Sequence, residues 1–200
     1  MRWLTLYLRS RQAPLALILA AGCVALLWAL WSAFSDDRDV DVPMVILTVL
    51  LTVATLTATL GGPDDALERT GSLPWLPRRA AHVLVAFAVV VLLVLVTQAT
   101  GARFGPAWLV VRDAAGLSGL TALGAATVGV ARSWFPPIAW TLASITVALP
   151  DKTWADVATW QVQPPGNRPA AITAGVLAAG GLLVYAVLGP TRRAPAEAAQ

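Results

Sequence analysis

AHVLVAFAVVVLLVLVTQA, residues 81–99, decides the fold class. Val, Leu and Ala make up nearly all of it, and no Asp, Glu, Lys or Arg interrupts it. A helix crosses a hydrocarbon core of ~30 Å with roughly 20 apolar residues, so this run has the length of one crossing. Apolar on all sides, it suits lipid better than one face of a soluble core. Five further runs of spanning or near-spanning length surround it. Pro14–Phe34 and Pro43–Leu60 precede it; Ala114–Ala131, Trp134–Leu149 and Ala170–Leu188 follow. The fifth is short and opens on Pro136 and Pro137. The expected fold is an all-α membrane protein of six transmembrane helices, forming a single domain over residues 1–200.

Composition agrees. Hydrophobic residues are 58% of the chain and charged residues 12%, against about 25% charged in soluble domains. Six spans and their connections leave no room for a soluble nucleotide- or nucleic-acid-binding domain. The net charge of +3 does not point to nucleic acid, because the cations sit beside span ends rather than in a stripe. The chain has 13 Arg and one Lys, and is rich in Ala, Gly and Val. That is the coding bias of a GC-rich genome and points to a bacterial cell membrane.

The connections have their own patterns. In residues 1–13, Arg2, Thr5, Arg9 and Gln12 fall on one helical face and Trp3, Leu4, Tyr7 and Leu8 on the other, as in a helix lying in the membrane interface. Pro14 then turns the chain into the first span. Ala33 and Ser35 fit a signal-peptidase site, but the apolar run is longer than a signal peptide's core and ends on Trp28 and Trp31, so the span is expected to be retained. Asp36, Asp37, Asp39 and Asp41 surround Arg38 in the first loop. Thr100–Asp113, broken by Gly101, Gly105 and Pro106, is expected to be an interfacial turn, with Asp113 capping the fourth span. Residues 189–200, rich in Ala and Pro, are expected to be a disordered tail.

Orientation follows from Lys and Arg alone. With both termini inside, the cytoplasmic segments hold Arg2, Arg9, Arg11, Arg69, Arg78, Arg79, Arg132, Arg192 and Arg193, nine cations, against five outside: Arg38, Arg103, Arg112, Lys152 and Arg168. Both termini are therefore expected in the cytoplasm.

Chemistry is scarce. Proton relays and ion-coupled carriers place Asp, Glu, His or Arg within the bilayer, and the six runs offer none at depth. His82, the only histidine, stands at the start of the third span beside Arg78 and Arg79 and reads as interfacial. One His and one Cys cannot assemble a metal site. Cys23 reads as a small packing residue in the first span. Lys152 lacks a phosphate-binding loop around it, and the Ser residues lack a base. No enzyme activity, cofactor or metal is expected.

The spans offer hydroxyls and small residues instead. Thr48, Thr52, Thr55 and Thr59 recur at three- and four-residue steps, either bonding their own preceding turn or lining a mildly polar conduit. Ala115, Gly119, Ala122, Ala126 and Gly129 share one face of the fourth span, and Ala171, Gly175 and Ala178 one face of the sixth. Small residues let helices approach closely in lipid. In the loop after the second span, Asp64 and Asp65 precede Ala66, Leu67, Glu68, Arg69 and Thr70, and Gly71 follows. Asp65 with Glu68 resembles a capping box and predicts a helix of one to two turns. Thr153 with Asp156 predicts another, external helix over Thr153–Val162, anchored by Trp154 and Trp160.

An N-terminal interfacial helix, six spans, a short cytoplasmic helix between spans two and three and a helical external segment between spans five and six together resemble a type-2 ABC exporter permease subunit. The chain also resembles small actinobacterial membrane proteins of that kind, through VVRDAAGLSGL at Val110–Leu120, ARSWFPPIAW at Ala131–Trp140 and GPTRR at Gly189–Arg193. None of these stretches is a catalytic signature, and permeases of the family are usually longer. The resemblance implies pairing with a second permease subunit and docking of a separate cytoplasmic ATPase on Asp64, Asp65, Glu68 and Arg69. The other reading of the same residues is a membrane protein that does not transport, serving in assembly, immunity or regulation.

Overall fold

In the computed structural model, residues 8–61, 75–146 and 153–191 are described, and they are helical without a strand among them. Seven α-helices follow one another: α1 (Ala13–Phe34), α2 (Val42–Leu56), α3 (Trp75–Leu95), α4 (Ala107–Thr127), α5 (Phe135–Thr146), α6 (Thr153–Ala158) and α7 (Arg168–Leu188). Short 3₁₀ turns extend α2 through Thr57–Leu60 and α3 through Val96–Ala99. With these extensions α2 and α3 join α1, α4 and α7 as five helices long and apolar enough to cross a membrane. The chain is an all-α membrane protein.

The helix starts follow from local chemistry. Gln12 takes a left-handed conformation with φ 54°, which breaks residues 8–10 from α1, and Pro14 sits in the first turn, where its missing N–H costs nothing. Asn167 caps α7 by accepting from Ala170 N at 2.9 Å. At the fourth helix the structure departs from expectation. Pro106 ends the extended turn and α4 begins at Ala107, so Arg112 and Asp113 lie inside the helix rather than ahead of it. A cap at Asp113 would have required extended backbone there.

Cross-contacts fix the path. At one end, Asp39 and Arg103 form an isolated bridge between the first and third loops, in which Val40 N donates to Arg103 O and Arg103 N to Arg38 O. Trp28 Nε1 donates to Thr100 Oγ1 at 2.9 Å at the same end. At the opposite end Arg11 meets the carbonyls of Thr59 and Leu60, and Tyr185 Oη donates to Leu60 O at 2.6 Å. Helices α1, α2, α3 and α4 therefore alternate in direction.

Helices α4 and α7 run parallel. Gly116 and Arg112, early in α4, face residues 160–164 just ahead of α7, while Ala125, late in α4, accepts from Thr191 N beyond the end of α7 at 2.9 Å. Two parallel helices require the intervening chain to return through the bundle. It does so with α5, whose 12 residues cover only ~18 Å, followed by α6 and an irregular stretch. Residues 8–12 and 189–191 consequently share one end, while five of the six expected runs are long and apolar enough to span and α5 is not.

Burial inverts the pattern of a soluble protein. In α4, 78% of the spanning window is buried, against 22% in each of α1, α3 and α7. Yet α4 carries Arg112, Asp113, Gly116, Ser118, Gly119, Thr121 and Gly124. Lipid is as apolar as leucine, so the outer helices show it leucines and valines (Ile18 68%, Leu92 62% and Leu183 64% exposed). The polar and small residues gather at the centre, where backbones can touch.

Candidate functional site

The centre of the bundle is built on contacts that only glycine permits. A methyl group on Gly119 of α4 would overlap the carbonyl of Leu177 in α7, and one on Gly181 would overlap the carbonyl of Gly119. One turn earlier in α4, a methyl on Gly116 would come within 2.9 Å of the Trp160 ring. The α4–α7 interface is the most extensive among the described residues and is backbone against backbone at its midpoint.

Arg112 organises the end of the bundle that holds the first loop. It is 3% exposed. Its Nε donates to Asp113 Oδ1 at 2.9 Å. Its Nη1 reaches Gln163 O at 2.9 Å and Pro164 O at 3.2 Å, and its Nη2 reaches Gln161 O at 2.9 Å. Residues 159–164 are turns rather than helix, so their carbonyls lack intrahelical partners. In a bilayer such groups must be satisfied within the protein. One guanidinium, with its fan of donors, does this for three of them. Trp140 Nε1 and Ser144 Oγ of α5 both donate to Ala158 O, at 2.9 and 3.1 Å, and hold the same stretch from the other side.

Around this clamp lie polar atoms without a hydrogen-bond partner among the described residues: Asp113 Oδ2, Trp160 Nε1, and both amide atoms of Gln161. Trp160, Gln161 and Asp113 are fully buried. Each unsatisfied buried group costs about 1–3 kcal/mol. Arg112 itself is saturated by carbonyls and one carboxylate, which suits it to fastening the chain rather than to seizing an anion.

A second polar cluster closes the opposite end. The last carbonyls of a helix have no partner within it. Here Arg11 Nη1 approaches Thr59 O and Leu60 O at 3.4 Å each, and Tyr185 also serves Leu60. The ring of His82 meets Thr59 Oγ1 through Nε2 at 3.1 Å. Arg79 is buried against Gly189, whose φ of 72° and contact with the guanidinium both exclude a side chain.

The residues singled out in the sequence are placed as follows. Thr48, Thr52 and Thr59 are buried, and Thr55 is half-buried. Their hydroxyls donate to Met44 O, Thr48 O, Thr52 O and Leu56 O at 2.6–2.8 Å. Gly119, Ala122 and Ala126 are buried in α4 and Ala115 is half-buried. Gly129 lies past the end of that helix with φ 90°. Gly175 has no atom within 4 Å of where a side chain would begin, and Gly181 rather than Gly175 supplies the close approach from α7. Asp64, Asp65, Glu68 and Arg69 lie outside the described residues, as do residues 1–7 of the N-terminal helix and 192–200 of the tail. The helix expected over Thr153–Val162 spans Thr153–Ala158. Trp154 is exposed, but Trp160 is buried in the bundle against Gly116 and anchors the return inside it.

Arg112 and Asp113 were missed as interior residues because Gly105 and Pro106 suggested a longer turn. The signal was present: Leu109, Arg112, Asp113, Gly116, Leu117 and Leu120 continue one helical face. For Trp160 and Gln161 no sequence signal exists, since their burial depends on the parallel placement of α4 and α7. No protein-family model, curated protein or solved structure matches this chain.

Proposed function

We propose that the chain is the permease subunit of an ATP-driven exporter of the ABC type, working in the bacterial cell membrane as a pair with a second permease subunit and a separate cytoplasmic ATPase. The observation that carries this reading is the shared placement of Arg11, Arg79, Gly61 and Trp75 at one end of the bundle. The 62–74 connection joins helices at that end, among the arginines that mark a cytoplasmic face. Its Asp64, Asp65, Glu68 and Arg69 would meet the ATPase there. Transport would proceed by repacking of helices against one another, and the energy would come from the ATPase, because the charged Arg112 is already committed to structural carbonyls.

A second reading, a non-transporting subunit for assembly, immunity or regulation, is favoured by the Thr48–Thr59 face. Its four hydroxyls are spent on their own helix, and the open space between α2, α3 and α4 is only ≈ 20 Å³. Purification of the native complex separates the two. A permease brings down an ATP-hydrolysing partner, and charge reversal by Glu68→Lys with Arg69→Glu abolishes that capture while leaving membrane insertion unchanged. A native complex free of any ATPase, or capture indifferent to the reversal, contradicts the transport reading.

A further inference from the structure

Free space gathers around one helix. Every residue of α3 from 82 to 90 except Ala88 borders a cavity or groove. A cavity of ≈ 20 Å³ lies between α2, α3 and α4, with Val83, Ala86 and Val90 in its wall. A groove of ≈ 240 Å³ lies between α3, α4 and α7, where Leu84 and Phe87 face Ala178 and Leu182. A cleft of ≈ 300 Å³ lies between residues 8–17, α2 and α3, with Val85 and Val89 in its wall. The last two are lined in part by exposed residues, Gly175 and Ala179 in the groove and Leu8 and Leu17 in the cleft, so both reach the outer surface of the bundle. Protein interiors resist displacement because fixed side chains interlock. In a bilayer, the first half of α3 instead borders fluid acyl chains on two sides.

The second half is anchored. None of the three spaces touches residues 91–99, and Val94 is fully buried. Thr97 Oγ1 accepts from Phe104 N at 3.3 Å, and Gln98 Nε2 donates to Gly105 O. Near the start of the helix, the His82 ring meets Thr59 Oγ1 at 3.1 Å. The Thr59 hydroxyl already donates to Leu56 O at 2.7 Å, so the ring Nε2–H is the donor. Arg79 lays its guanidinium against Gly189, and so long a side chain can follow a sideways shift of its helix. We infer that α3 pivots about residues 94–98 and swings its first half sideways, with the His82–Thr59 hydrogen bond as the latch of the packed arrangement. The inference goes beyond the transport reading. It names the helix that repacks if that reading holds, since α3 directly follows the 62–74 connection, but it needs no ATPase and is tested on the chain alone.

Nitroxide labels are attached in pairs to the full chain in nanodiscs, in a Cys23→Ser background, and the distances are read by pulsed dipolar EPR. Leu84→Cys with Phe135→Cys follows the free half of α3, and Leu92→Cys with Trp154→Cys follows the anchored half; all four positions are exposed. Two distances are expected for the first pair and one for the second. His82→Ala should raise the minor population of the first pair about fivefold, the weight of one net hydrogen bond. Ala86→Phe fills the space beside α2 and α4 and should leave the first pair with one distance. Ala86→Leu, a smaller addition that burdens the fold less, should do so in part. Equal widths for the two pairs with no response to His82→Ala, two distances in both pairs, or two distances that persist unchanged in both Ala86 variants would overturn the pivot.

Discussion

At the scale of single residues, glycine and arginine do the deciding. Gly119 and Gly175 are both glycines of the central helix pair, yet their surroundings differ. The first has the Leu177 carbonyl where its side chain would go, and the second has open space. Gly119→Ala should therefore lower stability by about 1–3 kcal/mol, the usual cost of overpacking. Gly175→Ala should be neutral or stabilising by up to ~1 kcal/mol, since alanine is the better helix former. Reversible unfolding in mixed micelles measures both. Arg112→Met leaves the buried Gln161 carbonyl and the Asp113 carboxylate without this partner, and should cost about 3–5 kcal/mol. Arg112→Lys should rescue little, because an ammonium is a point charge and cannot span donors set in a fork. Recovery of wild-type stability by lysine would show that charge alone matters at this position.

At the scale of elements, the short α5 and the irregular 159–164 stretch are what set this bundle apart from six uniform helices. Trp160 wedges against Gly116 where a β-carbon would stand. Gly116→Ala should destabilise the bundle, and Trp160→Leu should too, by leaving a void. The double variant should be more stable than the sum of the two, because the alanine occupies part of the space the indole vacates. Strict additivity would mean that the two residues are not in contact. This part of the fold was poorly legible in the sequence for a physical reason. The long apolar runs announce themselves because lipid demands them, so α1, α2, α3 and α7 could be read from hydropathy alone. The most buried helix, α4, is the least lipid-like of the long helices, and its Arg112 and Asp113 looked like a boundary. Hydropathy reports exposure to lipid. It does not report burial within the bundle. The four-residue threonine repeat was legible as a periodicity, but whether its hydroxyls face a neighbour or their own backbone depends on rotamers that spacing does not set.

At the scale of the whole molecule, one geometrical relation decides the topology: α4 and α7 are parallel, so the chain between them returns from one end of the bundle to the other by way of α5 and the segment held by Arg112. Loops at Asp37 and Gly166 then share one side, and Arg132 and Thr191 share the other. All four positions are exposed. Cysteines introduced singly at these positions in a Cys23→Ser background, and labelled in sealed right-side-out vesicles with a membrane-impermeant maleimide, measure this directly. Labelling of Asp37→Cys and Gly166→Cys in intact vesicles, with Arg132→Cys and Thr191→Cys reacting only after permeabilisation, is the predicted result. Labelling of residues 132 and 166 from the same side would contradict it, since no passage would then separate the end of α4 from the start of α7.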